Sequence, residues 1–170
     1  MKTFQQFIDD IPELEESSMT RLKSQSDKGG TAVMSASRGN LSGKENRARA
    51  KKLDKDIRSK FGKGATKVTG KYDEKDEKTG QTKRVKERSH VIQSGKMGKR
   101  KFKKAVKSLG KKYGQDSVIT QQKGNKDATL KRTRKGAMSK QNMKLGKMRP
   151  GRSGENETQK KGKTYTYDTK

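Results

Sequence analysis

A set of polar residues near the ends of the predicted helices and strands could line one site: Glu45, Glu74, Glu87, Asp116, Arg38, Ser89 and Gln115. Two or three carboxylates that converge on one point would suit a Mg²⁺-dependent nuclease. No spacing in the sequence forces these carboxylates to converge, and Glu45 fits a structural role at a helix start. Salt bridges with the abundant lysines account for the others. We therefore predict that the chain is not an enzyme and has no catalytic residue.

Residues that could hold a metal or act as a nucleophile are scarce. The chain has no cysteine and one histidine, His90, which excludes thiolate chemistry and a histidine-rich metal centre. His90 follows Ser89 on a predicted strand, and adjacent strand residues point to opposite faces, which argues against a Ser–His couple. Gly95-Lys-Met-Gly-Lys99 lacks the spacing of a phosphate-binding loop. We predict no cofactor and no metal, and no apolar stretch is long enough to span a membrane.

Positive charge is the dominant chemical property of the sequence. Its 170 residues include 46 Lys and Arg against 19 Asp and Glu, a formal net charge of +27. Aromatic residues make up only 5%, so phosphate neutralisation, rather than base stacking, would supply any affinity for nucleic acid. We predict phosphate contacts without sequence preference from Arg38, Lys44, Arg47, Arg49, Lys51, Lys52, Arg58, Lys99, Arg100, Lys101, Lys103, Lys104, Lys107, Lys111 and Lys112.

The first 16 residues carry the opposite charge, because one lysine and five carboxylates give about −4. Four apolar residues, Phe4, Phe7, Ile8 and Ile11, recur at helical spacing and predict a short amphipathic helix that ends before Pro12. One interpretation is a helix packed on the folded domain. The other is a detachable segment that docks on a partner.

The first eight residues of this segment are similar to a known kind of leader. Met1-Lys2-Thr3-Phe4-Gln5-Gln6-Phe7-Ile8 resembles the capsid-targeting leader of internal head proteins in T4-like bacteriophages. The resemblance implies that the prohead protease cuts after a Leu-X-Glu or Ile-X-Glu triplet, and Ile11-Pro12-Glu13 and Leu14-Glu15-Glu16 are such triplets. The implied processing site consists of Glu13, Leu14, Glu16 and Ser17.

The body alternates between the two periodicities of strands and helices. Ser42 and Glu45 form a capping box before a helix that reaches Phe61. A second helix carries one continuous apolar stripe: Phe102, Ala105, Val106, Leu109 and Tyr113. Strands are predicted at 31–37, 65–72, 83–93 and 116–120, with an edge segment at 128–131. The order βαββαβ predicts an α+β fold of the split ferredoxin-like type, a small antiparallel sheet with two helices and basic flexible flanks.

Composition divides the chain into five predicted regions. They are an acidic leader at 1–16, a linker at 17–30, an α+β domain at 31–132, a basic flexible segment at 133–162 and a terminal strand or tail at 163–170. Hydrophobic residues make up 24% of the chain, about half the usual share, so we expect a small folded body.

From Thr31 onward the chain also resembles a family of small uncharacterised proteins of phages and bacteria. The similar segments include Ser35-Ala-Ser-Arg-Gly39, Gly70-Lys-Tyr-Asp-Glu74, Glu87-Arg-Ser89, Tyr113-Gly-Gln-Asp-Ser-Val118 and Gly162-Lys-Thr-Tyr-Thr-Tyr167. This resemblance implies an α+β fold and supplies no reaction.

Charge and leader together predict a phage protein of the virion interior that is packaged with the genome. Its partners would be DNA or another polyanion and, through the leader, the scaffold and the prohead protease. It would lie inside the capsid, and in the host cytoplasm during assembly or after ejection. Two alternatives stay open: an inhibitor that binds a host protein, and a structural component of the capsid or neck.

Overall fold

A computed structural model describes residues 13–75, 78–134, 142–152, 154 and 156–167. Within these ranges the chain forms three helices: α1 (Glu13–Gly29), α2 (Gly43–Phe61) and α3 (Lys99–Lys112). Eight strands accompany them: β1 (Thr31–Ser35), β2 (Thr66–Lys75), β3 (Thr82–Gln93), β4 (Ser117–Gln121), β5 (Asp127–Arg132), β6 (Met143–Pro150), β7 (Asn156–Lys160) and β8 (Lys163–Tyr167). No helix in the described ranges is long and apolar enough to cross a membrane.

The eight strands close into one antiparallel barrel. Their order around it is β1-β3-β2-β7-β8-β6-β5-β4, and pairing between β4 and β1 closes the ring. The predicted split ferredoxin-like sheet is therefore wrong. Closure pairs both edges of every strand, and apolar residues pack on both faces of the sheet, against the helices outside and in the barrel interior.

The difference from the prediction is largest in residues 133–162, which we expected to be flexible. The structure has β6 and β7 within this range. A bulge hides β6 from a search for alternation, because Leu145 is the extra residue where the register with β5 shifts and Gly146 takes a φ of 78°. Its two buried apolar residues, Leu145 and Met148, are consequently three positions apart.

Helices α2 and α3 cover one side of the barrel, and the predicted apolar stripe of α3 faces it. The Ser42–Glu45 capping box is present, and Gly62 ends α2 in the left-handed conformation with a φ of 68°. Both helices pack against the outward residues of β1, β3 and β4 in one core: Ala32, Met34, Ala36, Leu53, Ile57, Ile92, Phe102, Val106, Leu109, Tyr113 and Val118.

A second core fills the barrel interior near α1. Leu22 of α1 is only 1% exposed, and it packs there with residues of four strands: Val68, Val91, Met148 and Tyr165. Polar contacts hold α1 in place, since the Gln93 amide donates to Gln25 and the Gln121 amide donates to Asp27 at 2.8 Å. Helix α1 therefore closes one end of the barrel.

This arrangement gives residues 17–29, predicted as a linker, a place in a packed helix. Their polar composition suggested a linker, but a helix with one buried leucine and polar contacts to strand ends needs no apolar stripe. The division of the chain into domains stays a prediction. The predicted leader helix before Pro12 lies outside the described residues.

Candidate functional site

The barrel end opposite α1 is polar and contains three adjoining cavities. One cavity of about 300 Å³ lies among strand residues, including Ser35, Ser89 and Ser117. Two cavities at the rim, of about 460 and 520 Å³, lie against the segment that follows β1. Tyr72 and Glu87 line all three cavities. These two side chains therefore mark the centre of the candidate site.

Strands β2 and β3 place Tyr72 and Glu87 on one face. Gly70 lies opposite Glu87 in the antiparallel register, and Tyr72 lies opposite Val85. Tyr72 is thus the diagonal neighbour of Glu87, a separation that long and aromatic side chains can bridge. Both residues are half-buried.

Gly70 leaves room for the acid. A Cβ at this position would lie 3.6 Å from Cγ of Glu87 and 3.2 Å from Oγ of Ser89. Any larger side chain would extend toward Glu87 from the facing strand position. The glycine therefore keeps the space around the carboxylate open.

Two further acids of the site have basic partners. Glu157, buried on β7, lies 3.1 Å from Lys71 Nζ and 3.5 Å from Arg84 Nη2. Arg84 also donates to Asp73 at 2.9 Å, and this bond raises the pKa of the guanidinium. Asp116 accepts a hydrogen bond of 2.7 Å from Arg134 Nε. The charges of Glu157 and Asp116 are therefore offset locally.

The rim segment 36–41 is held by side chains from outside it. Arg49 of α2 donates from Nε to the Ala36 carbonyl at 2.7 Å and from Nη2 to the Tyr113 carbonyl at 2.6 Å. The Gln115 amide donates to the Ser37 carbonyl at 3.1 Å. Three carbonyls in and beside the rim thus have fixed donors, so the segment is preorganised.

A tyrosine joins the two helices below this rim. The Tyr113 hydroxyl donates to Asp56 of α2 at 2.6 Å, and Lys112 lies 2.8 Å from the same carboxylate. The hydrogen bond from Lys112 and then that from Tyr113 lower the pKa of Asp56, while burial and the bond to Asp56 raise the pKa of Tyr113. This connection fixes α2 relative to the loop after α3.

The polar set proposed from the sequence is largely brought together here. Arg38, Glu87, Ser89, Gln115 and Asp116 all line the cavities. Glu45 does not, because it serves the capping box, where hydrogen bonds from Ser42 lower its pKa. The Glu74 side chain lies outside the described part. Among the residues that are described, no group of three or more His, Asp or Glu could hold a metal ion.

The basic residues predicted to contact nucleic acid divide into three groups. Arg38 and Arg47 line the rim cavity of about 460 Å³, and Arg49 supports the rim from α2. The others are exposed on α2 and α3, away from the site centre: Lys44, Lys51, Lys52, Arg58, Lys99, Arg100, Lys101, Lys103, Lys104, Lys107, Lys111 and Lys112. Their contacts with nucleic acid stay a prediction.

The predicted processing residues Glu13, Leu14, Glu16 and Ser17 fall at the start of α1. Cleavage there stays a prediction, and it would leave Leu22 in the chain. Tyr72 was not among the predicted site residues. The segment Gly70-Lys-Tyr-Asp-Glu74, which carries part of the family resemblance, was the signal that could have found it.

The structure defines a closed antiparallel barrel with one end covered by a helix and cavities at its polar end, and barrel mouths are common places for small-molecule sites. The chain belongs to the S-adenosylmethionine lyase family, whose model matches residues 32–170. This range contains the whole barrel except the first residue of β1, and it excludes α1.

Comparison with solved structures finds a phage S-adenosylmethionine lyase in complex with S-methyl-5′-thioadenosine. It is 16% identical, the match covers 69% of this chain and 90% of that chain, and the TM-score is 0.36. No curated protein matches the chain.

Family membership corrects what charge and leader suggested. The prediction that the chain is not an enzyme is wrong, because the family is one of lyases. The predicted nucleic-acid-binding protein of the virion interior is wrong for the same reason, and so is its location inside the capsid. What is shown is membership of the S-adenosylmethionine lyase family, and the predicted T4-like internal head protein is not shown.

Proposed function

We propose that this chain cleaves S-adenosylmethionine at the polar end of the barrel, with Tyr72 and Glu87 at the centre of the active site. The family match over residues 32–170 carries the proposal, because it spans every strand that lines the cavities. The cavities have the size of typical small-molecule sites.

A sulfonium can be cleaved without water, because its sulfur is a good leaving group. Sulfur accepts the electron pair of its bond to Cγ of the amino-acid chain and leaves as the neutral thioether methylthioadenosine. As this bond breaks, Cγ regains an electron pair in one of two ways. The substrate's own carboxylate oxygen attacks it and closes a five-membered lactone, or a base removes a Cβ proton and an alkene forms. Both routes balance without any added reactant.

Glu87 supplies negative charge for a substrate that carries positive groups. The substrate carries two positive groups, the sulfonium and the α-ammonium, and the chain itself has a formal net charge of +27. A carboxylate at the centre of the site attracts these cations locally at short range. In the elimination route Glu87 is also the candidate base for the Cβ proton.

Tyr72 supplies an aromatic ring beside that carboxylate. The face of an aromatic ring attracts cations, and a sulfonium is a weakly hydrated cation of this kind. Ring and carboxylate on adjacent strands would hold the sulfonium between them. A rigid barrel wall is well suited to keep this geometry.

Product analysis tests the proposal directly. Purified protein is incubated with S-adenosylmethionine in H₂¹⁸O, and products are identified by mass spectrometry. We expect methylthioadenosine with either a lactone or an alkene. Label in a Cγ hydroxyl group would indicate direct hydrolysis and would contradict a lyase, as would the absence of any cleavage.

Two variants assign the chemistry to the site. Glu87→Gln keeps the shape of the side chain and removes its charge, so we expect kcat/KM to fall ~100-fold or more. Asp127→Asn is the matched control, since Asp127 is an exposed acid at the first residue of β5. Equal activity of both variants would contradict a role for Glu87.

The leader lies outside the family match and is a separate proposal. Residues 1–16 resemble a removable leader, and the first residue of the protein in infected cells, found by N-terminal sequencing, tests this. The predicted partners, namely DNA, the scaffold, the prohead protease and a host protein, likewise stay predictions.

A further inference from the structure

We infer that Arg38 binds the carboxylate of the substrate and thereby selects sulfonium compounds that carry an amino acid. This inference rests on the proposed function.

Arg38 lies on the boundary between the two rim cavities and lines both of them. The other basic residues there line one cavity each. Arg47, Lys86 and Arg88 line the first, and Arg134 lines the second. Arg134 already forms a hydrogen bond with Asp116. Among the described lining residues, Arg38 is the basic residue that both rim cavities share.

The backbone of Arg38 is fixed by Asn46 of α2. The Arg38 amide donates to Oδ1 of Asn46 at 2.9 Å. The Nδ2 group of Asn46 donates back to the Arg38 carbonyl at 3.1 Å and to the Leu41 carbonyl at 3.2 Å. One side chain therefore satisfies three backbone groups of the rim and sets where the arginine side chain begins.

Within the described part of the chain, the Arg38 guanidinium makes one hydrogen bond. Nη1 donates to the Gly114 carbonyl at 3.3 Å, and a Cβ at Gly114 would collide with this nitrogen. Within the described residues Arg38 has no carboxylate within ion-pair distance. Since a guanidinium has five N–H donors, a planar pair remains for a ligand.

The ligand chemistry follows from the charges. A guanidinium binds a carboxylate through two parallel hydrogen bonds, and the carboxylate is the sole anionic group of S-adenosylmethionine. Glu87 lines the same two rim cavities as Arg38. The Glu87 carboxylate and the Arg38 guanidinium therefore face the same space. Their charges are opposite to those of the ammonium and the carboxylate of an amino acid.

A ligand that differs only in the carboxylate tests this role. S-adenosylmethionine serves as substrate, and decarboxylated S-adenosylmethionine serves as competitive inhibitor. We expect Arg38→Ala to raise KM for the substrate roughly 10- to 100-fold and to change the inhibition constant less than about twofold. Arg38→Lys keeps the charge without the planar pair of donors, so we expect its KM to lie between those of the wild type and Arg38→Ala. Lys51→Ala, an exposed change on α2, is the control.

The outcomes separate this inference from the proposed function. Cleavage by the wild type with an unchanged KM in Arg38→Ala would overturn the inference alone. Equal weakening of both ligands would also overturn it, because Arg38 would then support the rim rather than bind a carboxylate. A wild type without binding or cleavage would overturn the proposed function and the inference together. Thermal unfolding of each variant verifies that it is folded.

Discussion

Gly70 lies directly opposite Glu87 in the pairing of β2 with β3, so the acid at the centre of the site faces a residue without a side chain. A Cβ at Gly70 would come within 3.2 Å of the Ser89 hydroxyl oxygen. That distance is shorter than ordinary van der Waals contact. The open space around Glu87 therefore depends on a glycine on the neighbouring strand.

We expect Gly70→Ala to reduce kcat/KM ~10-fold and Gly70→Val to reduce it further, since a larger group occupies the space beside Glu87. Gly29→Ala is the control, because a Cβ at Gly29 would meet no atom within 4 Å. Steady-state kinetics measures the effect. Full activity in Gly70→Val would show that this space is not used by the substrate.

Asn46 is expected to act as a positioning residue. Asn46→Asp removes the two donated hydrogen bonds to the Arg38 and Leu41 carbonyls. The rim then loses its preorganisation, and KM should rise ~10-fold with a smaller change in kcat. If KM stays at the wild-type value while the melting temperature falls, Asn46 has only a structural role.

Leu22 lies outside residues 32–170, which the family model matches, and it should still contribute strongly to stability. Leu22→Ala leaves a cavity between α1 and the barrel interior, and we expect a loss of ~2–5 kcal/mol in the free energy of unfolding. Lys28→Ala, exposed in the last turn of α1, should cost little. Urea denaturation measures both. Equal denaturation midpoints would contradict a packed α1.

His90 should make stability depend on pH. It is buried on β3, its Nδ1 has no hydrogen-bond partner within the described structure, and burial lowers its pKa below 6.5. The unfolded chain therefore takes up a proton first as the pH falls, which favours unfolding. Asp54 opposes this shift, while Lys67 and Arg88 add to it.

We expect the free energy of unfolding to be constant above about pH 7 and to decrease as the pH falls through 6.5, by at most about 1.4 kcal/mol per pH unit. In His90→Leu this slope should disappear, whatever the absolute stability of the variant. Chemical denaturation between pH 5 and 8 measures it. A slope in the variant equal to that of the wild type would assign the effect to other groups.

Local signals in the sequence were sufficient to predict helices α2 and α3. The capping box at Ser42 and Glu45 and the apolar stripe from Phe102 to Tyr113 are patterns within single elements, and both are present in the structure. Strands β1 to β4 were placed for the same reason, since their residues are apolar or alternate. The absence of cysteine and the single histidine excluded thiolate chemistry and a histidine-rich metal centre from the start.

Barrel closure could not be predicted this way. The bulge at Leu145 and Gly146 breaks the alternation of β6, and β7 has no apolar residue, so neither strand gives a local signal. Strand β8 lies within the predicted terminal segment 163–170. Net charge misled the functional prediction, because the lysines of α2 and α3 lie on exposed surfaces whereas the site is set by a few residues inside the barrel.

The amino-acid sequence by itself determined that α2 and α3 form and which polar residues were available, whereas most of α1 was predicted as a linker. Only the tertiary structure decided which of those residues meet. The antiparallel register that pairs Ser35 with Ser89 carries the following Arg38 to the rim where Glu87 lies. Convergence of residues far apart in the chain is a property of strand pairing, and no spacing along one segment encodes it.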